Sequence, residues 1–336
     1  MKNETPETKE NKIIKTAKPS RLIGLISLSI LSVIVVVVAV FAIGIYGFNW
    51  QDNVTQKVEK IIPYPVALVN YKFIPYASYQ SDLATLVFYY DALAKNGEGL
   101  TSPSPENLDK AVIQRLVRNE VTKQIAKDYK VKVDKIELEE EMQKIIGQSD
   151  NPADAEKTLL NLYNWSTEQY RDNVLFYYLL RSQIQDKISY DDSQAFNIDA
   201  KKKAEEVLDK IKGEADTFEN LAKNYSEDTS APEGGNLGSV TRGQMISEFE
   251  EAAFSLQKGE VSGLVRTIYG FHIIKVLNIN GEGESEEREL AHILIKTLDI
   301  DTYISEQLKD TRVYVFKNGM KWDRDAEEAV FNAATE

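Results

Sequence analysis

The longest apolar stretch of the chain lies near its N-terminus, where residues 22–48 carry no charged side chain. As a helix, this stretch would extend about 40 Å, which exceeds the roughly 30 Å hydrocarbon core of a bilayer. A signal peptide is the alternative, but its apolar core is shorter and ends in small residues. Here the stretch ends near Tyr46, Phe48 and Trp50, aromatic residues that are typical of a membrane interface. The pattern predicts a retained transmembrane helix.

A strand and a group of helices are predicted next. Residues 66–74 have the composition of a strand, and Asn70 marks a turn within them. Further on, apolar side chains recur at helical spacing. Ser166 and Gln169, three residues apart, form a capping-box sequence at the start of the last helix of this group. The predicted helices cover residues 105–129, 137–146, 154–163 and 166–188.

A polar segment, residues 190–198, interrupts the helical pattern and is predicted to be an interdomain linker. Beyond it, short helices alternate with strand-like apolar segments. Asn318 and Gly319 are a turn signal near the C-terminus, and the chain after Asp323 is expected to fray. The predicted elements are helices over residues 200–212, 218–225 and 303–309, and strands over 271–275, 291–296 and 312–316.

Charge and composition narrow the classes of partner. The net charge of −13 argues against a nucleic-acid or anionic-lipid partner, because binding phosphates requires a basic surface. The absence of cysteine excludes disulfides, thiolate nucleophiles, cysteine-ligated zinc and a lipid-modified cysteine. Six basic residues precede the apolar stretch, whereas only Lys57 and Lys60 follow it closely. The positive-inside rule therefore predicts a cytoplasmic N-terminus and an extracytoplasmic chain beyond residue 49.

The candidate chemistry rests on histidine, because the chain holds only two, His272 and His292, both in strand-like apolar segments. A single histidine in such a setting is more often a structural core residue. No Asp or Glu lies at a convincing spacing for a shared metal, and no serine-nucleophile motif accompanies the pair. The residues alone therefore indicate neither a metal nor a cofactor at the two histidines.

Three segments in the C-terminal half carry a family resemblance. Residues 224–238 contain Gly-Gly-Asn-Leu-Gly, residues 242–254 begin Arg-Gly-Gln-Met, and residues 269–275 read Tyr-Gly-Phe-His-Ile-Ile-Lys. In this order they resemble the parvulin family of peptidyl-prolyl isomerases. The resemblance implies an α+β domain with an antiparallel four-stranded sheet and helices. It also implies that the two imidazoles face one another as a hydrogen-bonded pair beneath the substrate.

The same resemblance implies roles for individual residues. The expected catalytic residues are His272, His292 and Asp228. The expected substrate-binding residues are Leu237, Met245, Phe249, Thr267 and Tyr269. Met245 and Phe249 would share one face if residues 244–254 are helical, and a purely structural core is the alternative. Asp228 could instead be a solvated turn residue.

An isomerase site of this kind needs no covalent chemistry. Rotation about an X-Pro bond has a barrier near 18–20 kcal/mol that comes from amide resonance. A catalyst must bind the twisted amide more tightly than either planar form. An apolar pocket for the proline ring and a polar shelf for the changing carbonyl and nitrogen would suffice.

One strand departs from the family order. In parvulins the first histidine-bearing strand precedes the helix that begins here at Ala200, whereas the matching segment, residues 291–296, follows the last strand. A circular permutation explains this order, with residues 278–289 returning the chain beside the His272 strand. The alternative is a truncated second repeat that begins at Ala291, which would leave the domain without one catalytic histidine.

The helical half has a resemblance of its own. Leu-Val-Arg-Asn-Glu-Val at residues 116–121, Asp-Tyr-Lys-Val-Lys-Val-Asp at 128–134 and Trp-Ser-Thr-Glu-Gln-Tyr at 165–170 follow an order similar to the chaperone domain of SurA/PrsA-type foldases. An unrelated helical domain is the alternative. The resemblance implies that a C-terminal strand, residues 313–316, pairs with residues 66–69.

Taken together, the patterns predict a single-pass cell-membrane protein with its isomerase and chaperone activities outside the cytoplasm. The expected partners are unfolded exported polypeptides that contain X-Pro bonds. A non-catalytic holdase, with the parvulin-like domain as a peptide-binding module, is the rival. The predicted segments are a cytoplasmic tail (1–21), a transmembrane helix (22–48), a tether (49–64), a helical chaperone domain (65–190, completed by strand 312–316), a parvulin-like domain (198–298) and a C-terminal helix, strand and tail (299–336).

Overall fold

The structure is a computed structural model that describes residues 20–48, 50, 52–95, 101–148, 151–281 and 283–332, without the side chains of 20–31, 53, 56, 60 and 284. Contacts divide the chain into two compact units, Met1–Tyr64 and Pro65–Glu336. Most of the predicted cytoplasmic tail, residues 1–19, lies outside the described residues.

The described part of the first unit contains helices α1 (Ser20–Phe48) and α2 (Asn53–Ile61). Helix α2 occupies much of the predicted tether, so this segment is a capped helix rather than a plain extended link. Asp52 begins it by accepting hydrogen bonds from two backbone N–H groups of its first turn. The Tyr64 hydroxyl donates to the carbonyl of Val38 at 2.9 Å. Within the described residues, no helix combines the length and the apolar character needed to cross a membrane.

The second unit opens with a helical domain, as predicted. Its helices are α3 (Tyr76–Lys95), α4 (Pro105–Asp128), α5 (Lys135–Gly147), α6 (Pro152–Tyr163), α7 (Thr167–Tyr170) and α8 (Phe176–Ser189). A π-helical segment, Arg171–Leu175, joins α7 to α8. The predicted capping box is present, because Ser166 and Gln169 each accept a hydrogen bond from the other's backbone N–H.

A three-stranded antiparallel sheet joins the two ends of this unit. Its strands are β1 (Pro65–Val69), β2 (Lys72–Pro75) and β7 (Val313–Val315), in the order β2-β1-β7. Ala67 pairs with Val315 and Val69 pairs with Val313, which agrees with the expected return of the late strand to the opening one.

The chain beyond Asp323 forms a hairpin, so the prediction of a frayed tail is wrong for the residues described through 332. Helix α12 (Ile300–Asp310) precedes β7, and strands β8 (Met320–Asp323) and β9 (Glu328–Phe331) follow it as an antiparallel pair. Trp322 pairs with Ala329, which is fully buried, and this burial holds the second strand in place.

The predicted linker is shorter than expected, because helix α9 (Ala195–Lys212) begins inside residues 190–198. Asn197 is buried in the first turn of α9. Its amide donates to the carbonyls of Ile188 and Asp191, and its Oδ1 accepts the N–H of Leu298. These bonds tie the start of α9 to the end of α8. The polar sequence here therefore serves a buried hydrogen-bond network.

A second sheet has four antiparallel strands that are not in sequential order. They are β3 (Asn236–Val240), β4 (Val265–Thr267), β5 (Gly270–Asn280) and β6 (Glu287–Lys296), in the order β3-β6-β5-β4. The displaced strand, β6, turns back beside β5 and pairs with it from Glu287 to Lys296, while its other edge pairs with β3. It is a central strand of this sheet, which argues against the truncated second repeat.

The β5–β6 ladder separates two apolar cores. Helices α9 and α10 (Phe218–Tyr225) cover one face, where Ile273 and Ile293 are fully buried. Helix α11 (Ser247–Ser255) covers the other face, against Ile274 and Leu290. Because side chains alternate along a strand, the two histidines point to the α11 face.

Candidate functional site

Strands β5 and β6 bring the two histidines together. In their register His272 faces Leu294 and Ile274 faces His292, so the histidines are diagonal neighbours on one face. Their Nδ1 atoms are 3.2 Å apart and their rings lie within 21° of parallel. Both side chains are buried. The structure therefore places the two imidazoles against each other, as the resemblance implied.

Thr267 is the outer partner of His272. Its Oγ1 lies 2.9 Å from Nε2 of His272 and accepts the backbone N–H of Tyr269 at 3.1 Å. The pairing of β4 with β5 brings Thr267 to this position, where it is fully buried. The hydroxyl thus connects the histidine pair to the turn between β4 and β5.

Asp228 lies at the other end of the pair. Its Oδ2 is 3.2 Å from Nε2 of His292, but the geometry is not that of an aligned hydrogen bond. The backbone N–H and hydroxyl of Ser230 donate to the same oxygen at 2.8 and 2.5 Å. Asp228 is therefore a turn residue whose carboxylate faces the imidazole, so the contact with His292 is mainly electrostatic.

The surroundings keep the histidines neutral and Asp228 ionised. Burial, together with the neighbouring imidazole, lowers the pKa of His272 to about 3, against an opposing effect of Asp228. Burial also lowers the pKa of His292, although Asp228 opposes the shift. Burial alone would raise the pKa of Asp228, but the hydrogen bonds from Ser230 and the proximity of His292 lower it to about 2.

These protonation states fix the proton positions along the network. An ionised carboxylate beside Nε2 of His292 favours a proton on that nitrogen, so Nδ1 of His292 is the acceptor. Nδ1 of His272 must then be the donor, and its Nε2 accepts from the hydroxyl of Thr267. The two imidazoles are thereby assigned opposite tautomers.

We expect nuclear magnetic resonance of histidine labelled with ¹⁵N to show this asymmetry directly. The chain has two histidines, so four ring-nitrogen signals suffice for the assignment. At pH 7, His272 should carry its proton on Nδ1 and His292 on Nε2. The variant Asp228→Asn removes the carboxylate that selects the His292 tautomer, so it should mix the two forms. Identical tautomers in the parent protein would contradict the assignment.

Burial of neutral histidines should also make stability depend on pH. The unfolded chain protonates His272 near pH 6.5, whereas the folded chain does so near 3. Stability is therefore fully present above pH 6.5 and is lost as the pH falls toward 3. At pH 5 the loss from His272 is about 2 kcal/mol, and His292 adds to it. Urea unfolding at pH 7.5 and 5 measures the change, and a His272→Phe variant should show less of it.

An apolar cavity of 680 Å³ lies above the histidine pair. Phe249 forms one wall, and its ring meets both imidazoles edge-on at centroid distances of 5.2 and 5.7 Å. Leu237 and Met245 line the same cavity and are half-buried. Tyr269 is an exposed residue of the rim. The structure thus brings the expected pocket residues together around the imidazoles.

Met245 and Phe249 do not share a helical face, so this part of the prediction is wrong. Helix α11 begins at Ser247, so Met245 precedes the helix and the two side chains do not share a helical face. Gly243, with a φ of 84°, turns the chain into the short segment that brings Met245 to the cavity. A loop rather than a helix therefore supplies this wall.

Several cavity residues were not anticipated from the sequence. The additional residues that line it are Gln185, Gln244, Ile246, Ile268, Leu294, Lys296, Thr297 and Asp299. Gln185 is the least expected, because it belongs to α8 of the helical domain. No local sequence signal shows which side chain of a helix reaches a neighbouring domain. In the part of the chain that the structure describes, no group of three or more acidic or histidine side chains could hold a metal ion.

Comparisons with known families match two successive parts of the chain, which meet at residue 185 within helix α8. Residues 20–185 match the SurA-like N-terminal domain, and residues 185–278 match the PPIC-type PPIase (rotamase) domain. The chain combines a SurA-like domain with a PPIC-type domain. The PPIC-type match includes His272 but ends before β6, which is the strand whose position departs from the family order.

Several relatives of the chain carry foldase and chaperone names. The chain is 40% identical to the foldase protein PrsA of Oceanobacillus iheyensis over 39% of its length and 47% of that protein. It is 29% identical to PrsA of Staphylococcus aureus over 59% of its length and 70% of that protein. It is 25% identical to the chaperone SurA of Nitrosococcus oceani over 73% of its length and 65% of that protein. The chain thus spans less than half the length of the first of these relatives.

Proposed function

We propose that this chain is a parvulin-type peptidyl-prolyl cis-trans isomerase and chaperone that acts on unfolded exported polypeptides. The observation that carries the proposal is the pair of buried, neutral imidazoles beneath an apolar cavity. The PPIC-type and SurA-like matches, and the foldase and chaperone names of the relatives, support it. We take the isomerase domain to begin with α9, at residue 195, and to end near residue 298.

The cavity can favour a twisted prolyl amide without any covalent step. We assign Leu237, Met245 and Phe249 to the proline ring, which would sit in a pocket with little water. Neutral imidazoles can lie beneath an apolar ring because they carry no charge that needs solvation. They offer a polar surface to the nitrogen, which becomes pyramidal as resonance is lost.

The carboxylate of Asp228 would repel the carbonyl oxygen of the prolyl amide. In a planar amide this oxygen carries partial negative charge through resonance, and a nearby carboxylate disfavours that charge. Twisting the bond reduces the charge, so the repulsion is relieved in the transition state. This is a preference for the twisted form over the planar forms, which is what lowers a barrier. Thr267 would position His272, and Tyr269 would contact the substrate at the rim.

A protease-coupled assay with an Ala-Pro tetrapeptide tests the proposal. The full chain, in mild detergent, should accelerate a reaction that takes tens of seconds or longer without a catalyst. Because burial lowers the pKa of both histidines below the usual 6.5, both imidazoles are neutral above pH 7, and the kcat/KM should vary little between pH 8 and 7. A folded protein without acceleration would exclude the isomerase.

The chaperone part of the proposal has a candidate surface in the helical domain. A cavity of 510 Å³ is lined by side chains of β2, α3, α4, the π-helical segment and α8, including Phe73, Arg115 and Tyr177. Phe73 is exposed, so its ring is available to an unfolded chain. We expect Phe73→Ala to weaken suppression of client aggregation without changing prolyl turnover. Suppression without any turnover in the parent would favour a non-catalytic holdase.

We further propose that residues 22–48 anchor the chain in the cell membrane with residues 49–336 outside the cytoplasm. The charge-free sequence and the six basic residues before it support this orientation. The chain should remain in the membrane after carbonate extraction and should be digested by protease added outside. Release by carbonate would contradict the anchor.

A further inference from the structure

One side chain in the wall of the isomerase cavity comes from the helical domain. Gln185 lies on α8, one turn before that helix ends, and is half-buried at the cavity. The other residues of the cavity that surround it belong to two loops. One is the turn between β4 and β5, with Ile268 and Tyr269. The other follows β6, with Thr297 and Asp299.

The amide of Gln185 joins these two loops. Its Oε1 accepts the backbone N–H of Ile300 at 2.7 Å. Its Nε2 donates toward the carbonyl oxygens of Ile268 at 3.3 Å and Leu298 at 3.2 Å, and toward Oγ of Ser189 at 2.5 Å. The partners determine the amide orientation, because a flipped amide would place its oxygen against two carbonyl oxygens.

A second contact reinforces the first loop. The hydroxyl of Ser189, a fully buried residue one turn after Gln185, donates to the same carbonyl of Ile268 at 2.6 Å. The two loops also bond each other, since the N–H of Thr297 donates to the carbonyl of Tyr269 at 3.2 Å. The end of α8 therefore holds both loops at once.

The held turn leads directly to the histidine pair. Ile268 precedes Tyr269, whose N–H donates to the hydroxyl of Thr267. That hydroxyl is the partner of Nε2 of His272. Displacing the carbonyl of Ile268 would therefore move the turn that orients Thr267. The hydroxyl of Thr267, which donates to Nε2 of His272, would move with it.

We propose that Gln185 is a positioning residue of the isomerase site, through which the helical domain fixes the cavity walls and the hydrogen bond between Thr267 and His272. The part of this proposal that concerns turnover rests on the proposed function. The part that concerns the imidazoles does not, because it can be observed in a protein without turnover.

Gln183 provides a matched control on the same helix. It lies two residues earlier and is also half-buried, but its amide donates to Glu137 within the helical domain at 2.8 Å. Replacing Gln183 by leucine therefore makes the same chemical change to α8 without touching either loop of the cavity. Gln185→Glu is a second variant, since it keeps the length and the acceptor for Ile300 but removes both donors.

The experiment compares the full-length parent with Gln185→Leu, Gln185→Glu and Gln183→Leu in detergent. We expect both Gln185 variants to lower kcat/KM for the prolyl peptide about tenfold, as the loss of a buried hydrogen bond would. Their ¹⁵N signals for the His272 ring should shift, while Gln183→Leu should retain parental turnover and parental signals. Thermal unfolding and aggregation suppression report whether each variant is folded.

The outcomes separate the two proposals. Equal turnover in Gln185→Leu and Gln183→Leu, with unchanged histidine signals, would overturn the role of Gln185. If the parent has no turnover, the proposed function fails, and the His272 signals of folded Gln185→Glu alone decide the positioning role. Loss of turnover in proportion to the unfolded fraction, with unchanged histidine signals in the folded fraction, would also overturn it.

Discussion

Replacing His292 by alanine is expected to lower kcat/KM for an Ala-Pro peptide about 10- to 100-fold, with the proposed chaperone activity retained. The substitution removes the acceptor for the proton on Nδ1 of His272 and leaves this buried group without a partner. An unsatisfied buried polar group costs about 1–3 kcal/mol, which corresponds to this range of rates if the cost falls on the site. Suppression of client aggregation should be unaffected, because the surface proposed for it lies in the helical domain.

The control for this prediction is a double-mutant cycle. His272→Ala should have an effect similar to that of His292→Ala, and the double variant should be no worse than either, because the two imidazoles act as one unit. Additive losses would show that the residues act independently. Parental turnover in either single variant would contradict the roles assigned to the pair. Thermal unfolding of each variant separates a local effect from loss of the fold.

Local sequence signals predicted the elements that local forces determine. The capping box at Ser166 depends on two residues three positions apart, so it could be predicted from the sequence without knowledge of the fold. The helices of the SurA-like domain follow from apolar periodicity in the same way. The pairing of β1 with β7 and the contact between the two imidazoles were expected from family resemblance, because pairing between distant segments leaves no local trace.

The errors fall where distant contacts decide the local structure. Asn197 has a polar sequence setting that indicates a linker, yet it lies in the first turn of α9, where its side chain bonds to Ile188 and Leu298. The chain after Asp323 was expected to fray, but the pairing of β8 with β9 orders it through Phe331. Gln185 carries no distinguishing local signal, since the neighbouring Gln183 has the same chemistry and a different partner.

Strand β6 links the fold of the second sheet to the candidate site. A strand late in the chain takes a central place in the sheet and supplies His292. The PPIC-type match ends at residue 278, so the conventional family pattern accounts for His272 and not for its partner. The site contains both histidines only if β6 stays in its place in the sheet. On the side away from β5, β6 is held by β3 and by the turn that precedes β3.

Replacing Gly235 by alanine is expected to destabilise the PPIC-type domain by about 3 kcal/mol or more, the range of substitutions that break backbone packing. Gly235 has a φ of 78°, and an added Cβ would overlap the carbonyl oxygen of His292. The N–H of His292 donates to the carbonyl of Gly235 at 2.8 Å, so the two backbones cannot separate without losing this bond. Relief of the overlap would move His292 away from His272.

Gly238 is the matched control, because its φ of 72° is nearly the same and no atom lies within 4 Å of an added Cβ. Gly238→Ala should therefore incur the strain of a left-handed conformation, about 1 kcal/mol, without the overlap. Urea unfolding, followed by the resonances of the two histidines, measures the free energy of unfolding of both variants. Equal loss in the two would mean that conformational strain alone sets the cost and that the turn can move away from β6. A much larger loss in Gly235→Ala, accompanied by loss of turnover, would show that the close approach of this turn keeps the late strand and its histidine in the site.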